Sequence, residues 1–574
     1  MSIEAVHAAL TAPGAPFEME TQEIRGVSMR VWKHAPRNLA EIFVATTAFA
    51  DRTYLVYEDE HLTYGQVHEY VARLARLLVT EYGVQKGDRV AIAMRNFPEW
   101  PICFWAAAMV GAVVVPLNAW WTGHELEYGL SDSGARVLIA DEQRAHSLVD
   151  FYDKLALTAV LAVRSESILP DHVKGFHAEL ARMPAGLNLP EVDIDPEDEA
   201  TIFYTSGTTG QPKGALGTHR NICTNLLNVR FAGMRALLRK GEDVPALRGE
   251  LPATPPPQLA PLLSVPFFHA TGCHSTLVAN TAAGNKLVMM YKWDAERAMA
   301  LIEREKITSF GGVPSMAWQV LESPDFDQYD LSTIQSIGYG GAPAAPELVT
   351  RIKERFPQVS AGNGYGLTET SSMVTSNSGV DYERKPNAVG VPMAINDVRL
   401  MNADGTAEVA KGEVGELWIK GPNVIKAYWN KPEATAATIT DGWLHSGDLA
   451  RIDEEGFVYI VDRAKDMLIR GGENIYCVEV ENALYEHPDV MDCTVVGVPH
   501  KILGEEVGTV IQLVPGAKTT PEDLQAFLRN ELAAFMIPQH FLLRSEPLER
   551  NANGKILKPE AKKQLLDSLG IAAD

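Results

Sequence analysis

The sequence predicts an α/β protein with two domains: a large N-terminal domain of parallel, helix-covered sheets and a small α+β C-terminal domain. The chain has 574 residues, more than a single hydrophobic core usually supports. Apolar runs of strand length alternate with amphipathic helical patterns over most of the chain. Near residue 462 this pattern gives way to a compact set of mixed elements, so we place the domains at 1–462 and 463–574.

The alternation of helices and strands is clear in the first third of the chain. Thr63 and Gln66 have the spacing of a capping box, and apolar residues follow at helical period until Gly83. Strand-like runs follow at Arg89–Met94 and Ala159–Val163. This order predicts parallel strands joined by helices, and the carboxyl ends of such strands are the usual ligand sites.

The segment 233–263 differs from its surroundings. It carries Arg235, Arg239 and Lys240, followed by a proline-rich run at 252–257. Charged and proline-rich stretches are typical of exposed connections. We therefore predict an exposed insertion in this part of the N-terminal domain.

Composition limits the partners of the protein. The formal net charge of −23 disfavours nucleic acids and anionic membranes, and it requires local positive groups wherever an anionic ligand binds. The five cysteines are far apart and have neither zinc-site spacing nor an even number, so a reducing cytoplasm is the expected location. The N-terminus lacks the basic and apolar regions of a signal peptide.

One apolar stretch, Trp100 to Leu117, is 18 uncharged residues long and approaches the length of a membrane-spanning helix. Pro101, Gly111 and Pro116 interrupt it, and no Lys/Arg cluster flanks it. We predict a buried helix, a turn at Gly111 and a buried strand, and hence no integral membrane segment.

The most informative segment runs from Tyr204 to Gly214, directly after a short apolar strand. It combines glycines, hydroxyl side chains and Lys213. Glycines let backbone N–H groups approach a ligand, so the segment predicts a cradle for phosphate oxygens. It does not match the P-loop, because no glycine precedes Lys213 and no Ser or Thr follows it. A solvated linker is disfavoured by the Pro-Lys-Gly ending.

Further segments combine glycines with chemically useful side chains. Thr368 could bind a phosphate oxygen, Glu369 could hold Mg²⁺ as a hard oxygen ligand, and Asp448 could accept both hydroxyls of a ribose. Taken singly these signals are weak: His269 alone is more often structural, and Lys555 alone is a surface lysine. Their value lies in their joint order along the chain.

Together these segments resemble the acyl-adenylate-forming superfamily, which contains acyl-CoA synthetases, luciferases and peptide-synthetase adenylation domains. The resemblance covers about residues 50–560 and is greatest to fatty-acyl-CoA synthetases. It implies ATP, Mg²⁺ and coenzyme A as cofactor and co-substrates, and a C-terminal domain that rotates between two half-reactions about a hinge at Lys465. It also implies that Lys555 assists adenylation, together with Thr368, Glu369 and His269, with Glu369 as the Mg²⁺ ligand.

The resemblance assigns the remaining site residues in three groups. The ATP- and AMP-binding residues would be Thr205, Ser206, Gly207, Thr208, Thr209, Gly210, Lys213, Gly341, Ala342, Pro343, Asn363, Gly364, Tyr365, Gly366, Asp448 and Arg463. Tyr365 would stack on the base and Asp448 would bind the ribose. The wall of the CoA tunnel would include Gly471, Gly472 and Glu473, and the acyl pocket would include His269, Gly312, Val313, Tyr339 and Met373.

Three places depart from the pattern of the family. Cys477 occupies a position where a proline is common, and Glu549 replaces the proline of the usual Leu-Pro-Arg. Residues 533–536 are apolar, whereas many members carry basic residues there, near the CoA phosphates. Because of the last departure, the prediction of coenzyme A as acceptor is less secure than the prediction of the first half-reaction.

The expected function is an ATP-dependent ligase that activates a hydrophobic monocarboxylic acid as acyl-AMP and transfers it to coenzyme A. The acyl-pocket segments carry no Lys or Arg, so a second substrate charge would lack a partner. A fatty acid or an arylalkanoic acid is therefore favoured. The alternatives are an amine or carrier-protein acceptor, or a nucleotide-binding regulator without catalysis. A homodimer is an open option for the assembly.

Overall fold

The structure is a computed structural model that describes residues 1–205, 211–250, 257–341, 346–552 and 554–571. Ser206, Gly207, Thr208, Thr209, Gly210, Ala342 and Pro343, all expected to bind the nucleotide, lie outside these ranges.

The first large sheet has eight strands and is mainly parallel, with an antiparallel edge. In spatial order its strands are Ala427–Tyr428, Lys213–Thr218, Glu199–Thr205, Val113–Pro116, Arg89–Ala93, Val137–Asp141, Ala159–Val163 and Val173–Gly175. The predicted alternation of helices and parallel strands is confirmed here. The strands Glu199–Thr205 and Lys213–Thr218, which flank the expected phosphate cradle, pair antiparallel.

Two further sheets complete the α/β part of the molecule. One contains Leu262–Leu263, Leu287–Met289, Thr53–Tyr57 and Glu60–Thr63, and the other contains Ser309–Gly312, Ser336–Gly340, Ser360–Leu367, Ser372–Ser378 and Val391–Pro392. The first three strands of the latter are parallel and end at the same edge. That edge positions the candidate site.

An antiparallel sheet follows that the sequence pattern did not predict. Its strands are Asp397–Met401, Gly415–Lys420, Trp443–Ile452, Ile439–Thr440 and Val458–Arg463. The next sheet contains Glu473–Ile475, Leu468–Arg470, Gly504–Leu513, Val490–His500 and His540–Arg544. Its side chains form two hydrophobic clusters of their own, drawn from residues between Leu468 and Ile571. A hairpin near the N-terminus pairs Met19–Ile24 with Val27–Trp32.

The α-helices cover the sheets. Their bounds are Ile3–Thr11, Leu39–Ala45, Tyr64–Thr80, Glu99–Met109, Gly123–Ser133, Glu142–Ser147, Phe176–Ala181, His219–Lys240, Ala279–Ala282, Ala295–Glu305, Pro314–Leu321, Pro346–Arg355, Val380–Arg384, Pro432–Thr438, Cys477–Tyr485, Pro521–Leu528 and Lys558–Leu569. A π-helix spans Thr271–Val278. The predicted capping box at Thr63 and Gln66 is present, with both reciprocal hydrogen bonds.

The apolar stretch from Trp100 to Leu117 forms the helix Glu99–Met109 and the strand Val113–Pro116, both buried in the core. Gly111 makes the turn between them with φ +69°, as predicted. Within the described ranges, no helix has the length and apolarity needed to cross a lipid bilayer.

The prediction of an exposed insertion at 233–263 is wrong at both ends of that segment. Residues 233–240 complete the helix His219–Lys240, and Leu262–Leu263 is a buried strand. Arg235 is only 4% exposed because its guanidinium donates to the backbone carbonyl of Ser376 at 2.6 Å. Arg239 pairs with Asp381 through two nitrogens. Arg235 thus binds a strand of the neighbouring sheet and Arg239 binds the helix Val380–Arg384, so these charges are satisfied within the protein.

The close approach of the parallel strands yields a stability prediction. A Cβ added at Gly311 would lie 1.6 Å from the carbonyl oxygen of its partner Gly338, whereas a Cβ added at Gly338 would meet no atom within 4 Å. We expect Gly311→Ala to lower the free energy of unfolding by about 2 kcal/mol or more, because backbone must move. Gly338→Ala is the matched control and should cost less than about 1 kcal/mol. Equal midpoints in urea denaturation would contradict this.

Candidate active site

The site is built on the carboxyl ends of the parallel strands Ser309–Gly312, Ser336–Gly340 and Ser360–Leu367. Gly340 pairs with Gly364, and a Cβ on Gly340 would lie 2.3 Å from the carbonyl oxygen of Gly364. Beside them, Gly338 faces open space. Gly338, Gly340 and Gly364 form a strip of backbone without side chains, here called the glycine strip. Such a surface allows the close approach of a flat ring.

Tyr339, expected in the acyl pocket, lies on the opposite face of its strand. It is 5% exposed, packs in the hydrophobic core, and shares a hydrogen bond of 2.8 Å with the hydroxyl of Tyr382. Side chains alternate along a strand, so when Gly338 and Gly340 face the site, Tyr339 faces the core. The expectation for the Tyr339 side chain is therefore wrong.

Asp448 is the most firmly held acid of the site. It is 2% exposed and lies opposite Arg463 in the antiparallel sheet. Its Oδ1 lies 3.0 Å from Nε of Arg463, and its Oδ2 accepts a hydrogen bond of 2.6 Å from the Tyr365 hydroxyl. A carboxylate can accept about four hydrogen bonds, so two remain for a ribose. The arrangement also fixes the ring of Tyr365 beside the glycine strip.

Glu369 follows Thr368 in a short 3-10 turn after the strand Ser360–Leu367. Its Oε1 accepts a hydrogen bond of 2.8 Å from the Tyr428 hydroxyl. The Lys213 ammonium lies 5.3 Å from the centre of the Tyr428 ring. Tyr428 thus contacts both Lys213, which is expected to bind phosphate, and Glu369, which is expected to bind Mg²⁺. Sequence reasoning missed Tyr428, since an Ala-Tyr-Trp run at an edge strand carries no signal by itself.

Glu369 fits a magnesium ion in its donor chemistry. Mg²⁺ is commonly held by one or two carboxylates together with substrate phosphates and water. The described residues contain no group of three acids, histidines or cysteines able to hold a metal. A single carboxylate such as Glu369 suits a cation that is also bound by the phosphates of a polyphosphate.

Lys555 comes from the C-terminal part of the chain and reaches the same site. Its backbone N–H donates to Oδ1 of Asn551, in a turn where Gly554 has φ +79°. A Cβ on Gly554 would lie 2.7 Å from Val313, and a Cβ on Gly341 would lie 3.8 Å from Cε of Lys555. The turn therefore packs directly on the ends of the site strands.

The ammonium of Lys555 is buried among charges. Burial, followed by the positive charge of Arg463, lowers the pKa of Lys555 to about 8, although Asp448 and Glu369 act in the opposite direction. The five predicted residues Lys555, Arg463, Asp448, Glu369 and Tyr365 are thus brought together by three different parts of the fold.

His269 lies next to this group as a neutral ring. Its Nδ1 accepts the N–H of Thr271 at 3.3 Å, which places the ring hydrogen on Nε2. Burial, with smaller contributions from Lys555 and His274, lowers the pKa of His269 to about 4. The ring can donate one hydrogen bond at neutral pH but carries no charge for catalysis.

The other expected pocket residues lie along the same edge. A Cβ on Gly312, where φ is +150°, would lie 2.5 Å from Sδ of Met316. The backbone of Met373 is held by Asn225 and Asn228, and its Cε lies 3.7 Å from the position of a Cβ on Gly364. Gly312, Val313 and Met373 therefore border the glycine strip. Asn363, between the strip glycines, is 8% exposed.

The expected hinge and tunnel residues lie on exposed turns, and the charge of Lys465 is near enough to Lys555 to lower its pKa slightly. Lys465 is exposed, in a turn between the strands Val458–Arg463 and Leu468–Arg470. Gly471 and Gly472 form an exposed hairpin turn with φ +61° and +93°, and Glu473 follows on its surface. The structure thus places Lys555 at the site and the glycine hairpin outside it.

Comparisons with known proteins identify the family of the chain. Residues 43–429 match the family described as AMP-binding enzyme, and residues 479–555 match the AMP-binding enzyme C-terminal domain. A long-chain-fatty-acid–CoA ligase of Bacillus subtilis (strain 168) is 35% identical over 540 residues, which cover 89% of this chain and 91% of that protein. A feruloyl-CoA synthase of Amycolatopsis is 35% identical over 509 residues, 88% and 94% of the two chains.

A solved structure of similar fold is the ATP-bound MatB of Rhodopseudomonas palustris. It has a TM-score of 0.77 and 28% sequence identity, and the match covers 92% of this chain and 99% of that chain.

The pKa of Lys555 predicts how the first chemical step depends on pH. A lysine stabilises a phosphate only when protonated, so kcat/KM for ATP should fall as the pH rises through about 8. Lys555→Arg should move this fall to higher pH, because an arginine stays charged. The measurement is acid-dependent exchange of pyrophosphate into ATP between about pH 6 and pH 10. The same falling limb in both proteins would rule out Lys555 as its source.

Proposed function

The chain belongs to the family of AMP-binding enzymes, and from this premise we propose that it joins a hydrophobic monocarboxylic acid to coenzyme A through an acyl-adenylate. ATP and coenzyme A are the substrates of AMP-binding CoA ligases, and the named relatives support ATP-dependent acid–CoA ligation. The observation that carries the proposal is the position of the buried Lys555 ammonium near Arg463, Asp448 and Glu369.

In the first half-reaction a carboxylate oxygen of the acid attacks the α-phosphorus of ATP. The new bond is acyl O–P, and the bond to pyrophosphate breaks, so its electron pair leaves on pyrophosphate. Asp448 would hold the ribose, Tyr365 would face the base, and Lys555 would stabilise negative charge on the phosphoryl oxygens. Mg²⁺ held by Glu369 would supply further charge neutralisation on the phosphates. The protein's contribution is position and charge.

In the second half-reaction the thiol of coenzyme A attacks the acyl carbon. The C–S bond forms, the bond between the acyl carbon and the phosphate oxygen breaks, and AMP leaves with that electron pair. Lys555 occupies the site in this structure, so the thiol needs another arrangement of the C-terminal part. We propose that residues 463–574 turn about Lys465 and bring the hairpin of Gly471 and Gly472 to the site.

The acid is proposed from the pocket and from the relatives. The fatty-acid ligase and the feruloyl-CoA synthase act, by their names, on acids with large apolar parts. The expected pocket segments contain no Lys or Arg to pair with a second substrate charge. A fatty acid or an arylalkanoic acid is favoured on both grounds.

The deciding experiment is an assay of purified protein with aliphatic and aromatic acids, ATP, Mg²⁺ and coenzyme A. AMP and the acyl-CoA thioester should form in equal amounts, and both should depend on the acid. Replacing coenzyme A by amines or by carrier protein measures the alternative acceptors. Absence of acid-dependent AMP with every acid would contradict the function, and AMP with an amide product instead of a thioester would change the acceptor.

Lys555 should serve only the first half-reaction. We expect Lys555→Ala to slow acyl-AMP formation by about 100-fold or more, because a charge on the transferring phosphoryl group is lost. Conversion of supplied acyl-AMP to acyl-CoA should stay within about threefold of wild type. Single-turnover assays of each step measure both rates. Equal losses in the two steps would exclude this division of roles.

Gly472 should serve only the second half-reaction. We expect Gly472→Leu to slow thioester formation and to spare acyl-AMP formation, because its side chain would narrow the path of the thiol arm. The matched control is Gly516→Leu, since Gly516 is also exposed, has φ +86° and has no atom within 4 Å of an added Cβ. Both variants carry the same backbone strain. A similar thioester rate in the two variants would count against a tunnel at Gly472.

A further inference from the structure

A chain of three polar side chains crosses from the core to the border of the acyl pocket. Asn225 is 0% exposed, and its Oδ1 accepts the backbone N–H of Met373 at 2.9 Å. The amide nitrogen of Asn225 therefore points the other way and donates to the hydroxyl of Ser275 at 3.2 Å. The Ser275 hydroxyl donates in turn to the hydroxyl of Ser372 at 2.7 Å. The N–H of Met373 thus fixes the orientation of the Asn225 amide, and the Ser275 hydroxyl is oriented toward Ser372.

Ser372 ends this chain with a free donor. Its oxygen accepts from Ser275, and its hydrogen has no acceptor among the residues that the structure describes. Ser275 and Ser372 are half-buried, whereas Asn225, His274 and Ser371 around them are at most 2% exposed. The two hydroxyls therefore border an accessible space, and the remaining hydrogen of Ser372 is available to a ligand.

The backbone holds Ser372 in place at a conformational cost. Ser371 has φ +52° and Ser372 has φ +102°, and a serine rarely adopts the latter value. Thr370 secures this bend, because its hydroxyl donates to the carbonyl oxygens of Leu367 and Ser372. Strain of this kind persists only where the surrounding contacts impose it, and it is concentrated at ligand sites.

Ser372 lies between the two segments that border the acid. It is three residues after Glu369, and its neighbour Met373 packs toward Gly364 in the glycine strip. Ser275 lies in the π-helix that follows His269. The Ser275–Ser372 pair therefore joins the His269 segment to the Glu369 segment at the expected acyl pocket.

We propose that the substrate is an apolar carboxylic acid that carries an acceptor oxygen, as a hydroxyl, ether or ketone, and that the Ser372 hydroxyl donates a hydrogen bond to it. This inference rests on the proposed function and adds the substrate class. A plain alkyl chain would bury the hydroxyl of Ser372 without an acceptor, which disfavours its binding. An uncharged oxygen needs no counter-ion, so the pocket can lack Lys and Arg.

The test uses acids that differ only by an acceptor oxygen. One pair is para-methoxycinnamic and para-ethylcinnamic acid, and the other is a fatty acid and its oxa analogues, in which an ether oxygen replaces one methylene at successive positions. Acid-dependent pyrophosphate exchange gives kcat/KM for each acid. We expect wild type to prefer one or more oxygen-bearing members over their carbon isosteres by about tenfold.

Two variants of Ser372 assign this preference. Ser372→Ala should remove it and should raise kcat/KM for the carbon isosteres, because the hydroxyl that they bury without an acceptor is gone. Ser372→Gly should do the same and should fold at least as stably, because glycine adopts φ +102° without strain. The matched control is Ser371→Ala, whose hydroxyl is buried and without a partner among the described residues, and which should retain the preference.

The outcomes separate this inference from the proposed function. Activity with equal kcat/KM for both members of every pair overturns the inference and leaves the ligase function standing. A preference that survives in Ser372→Ala and Ser372→Gly also overturns it. Absence of exchange with all acids overturns the ligase function and, with it, the inference.

Discussion

The burial of one ammonium group, that of Lys555, organises the candidate site. Moving a positive charge out of water costs free energy, and Arg463 adds repulsion, which is why the pKa of Lys555 falls to about 8. Asp448 and Glu369 offset part of this cost. A polyphosphate would offset more, since it brings negative charge to the place where the carboxylates alone do not suffice. The site is thus electrostatically suited to an anionic nucleotide despite a net charge of −23.

This position of Lys555 depends on contacts that use very little side-chain volume. Gly554 lies against Val313, and Gly341 lies against the Lys555 stem. The C-terminal turn can approach the strand ends closely because these positions carry no Cβ. The proposed two-step reaction requires that Lys555 also leave this shared site.

Acid recognition follows a different physical logic from nucleotide recognition. The nucleotide side uses charges and a bare backbone strip, whereas the acid side uses hydrogen-bond direction. The N–H of Met373 orients the Asn225 amide, which donates to Ser275, and Ser275 donates to Ser372. One uncharged donor at the end of such a chain would distinguish acids by an oxygen atom.

The sequence by itself determined the fold class, the buried helix and strand of 100–117, and the candidates Lys555, Arg463, Asp448, Glu369 and Tyr365 that the structure brings together. It did so because hydrophobic periodicity, glycine-rich segments and single acidic residues are local patterns that can be recognised in the sequence. Tertiary structure alone decided the rest. The face of Tyr339 depends on strand register, the burial of Arg235 depends on carbonyls more than 140 residues away, and Tyr428 meets Glu369 only across an edge strand. The direction of the Asn225–Ser275–Ser372 chain likewise belongs to no single segment. Hydrogen-bond partners that are distant in sequence set each of these features, and a sequence pattern does not specify which distant groups meet.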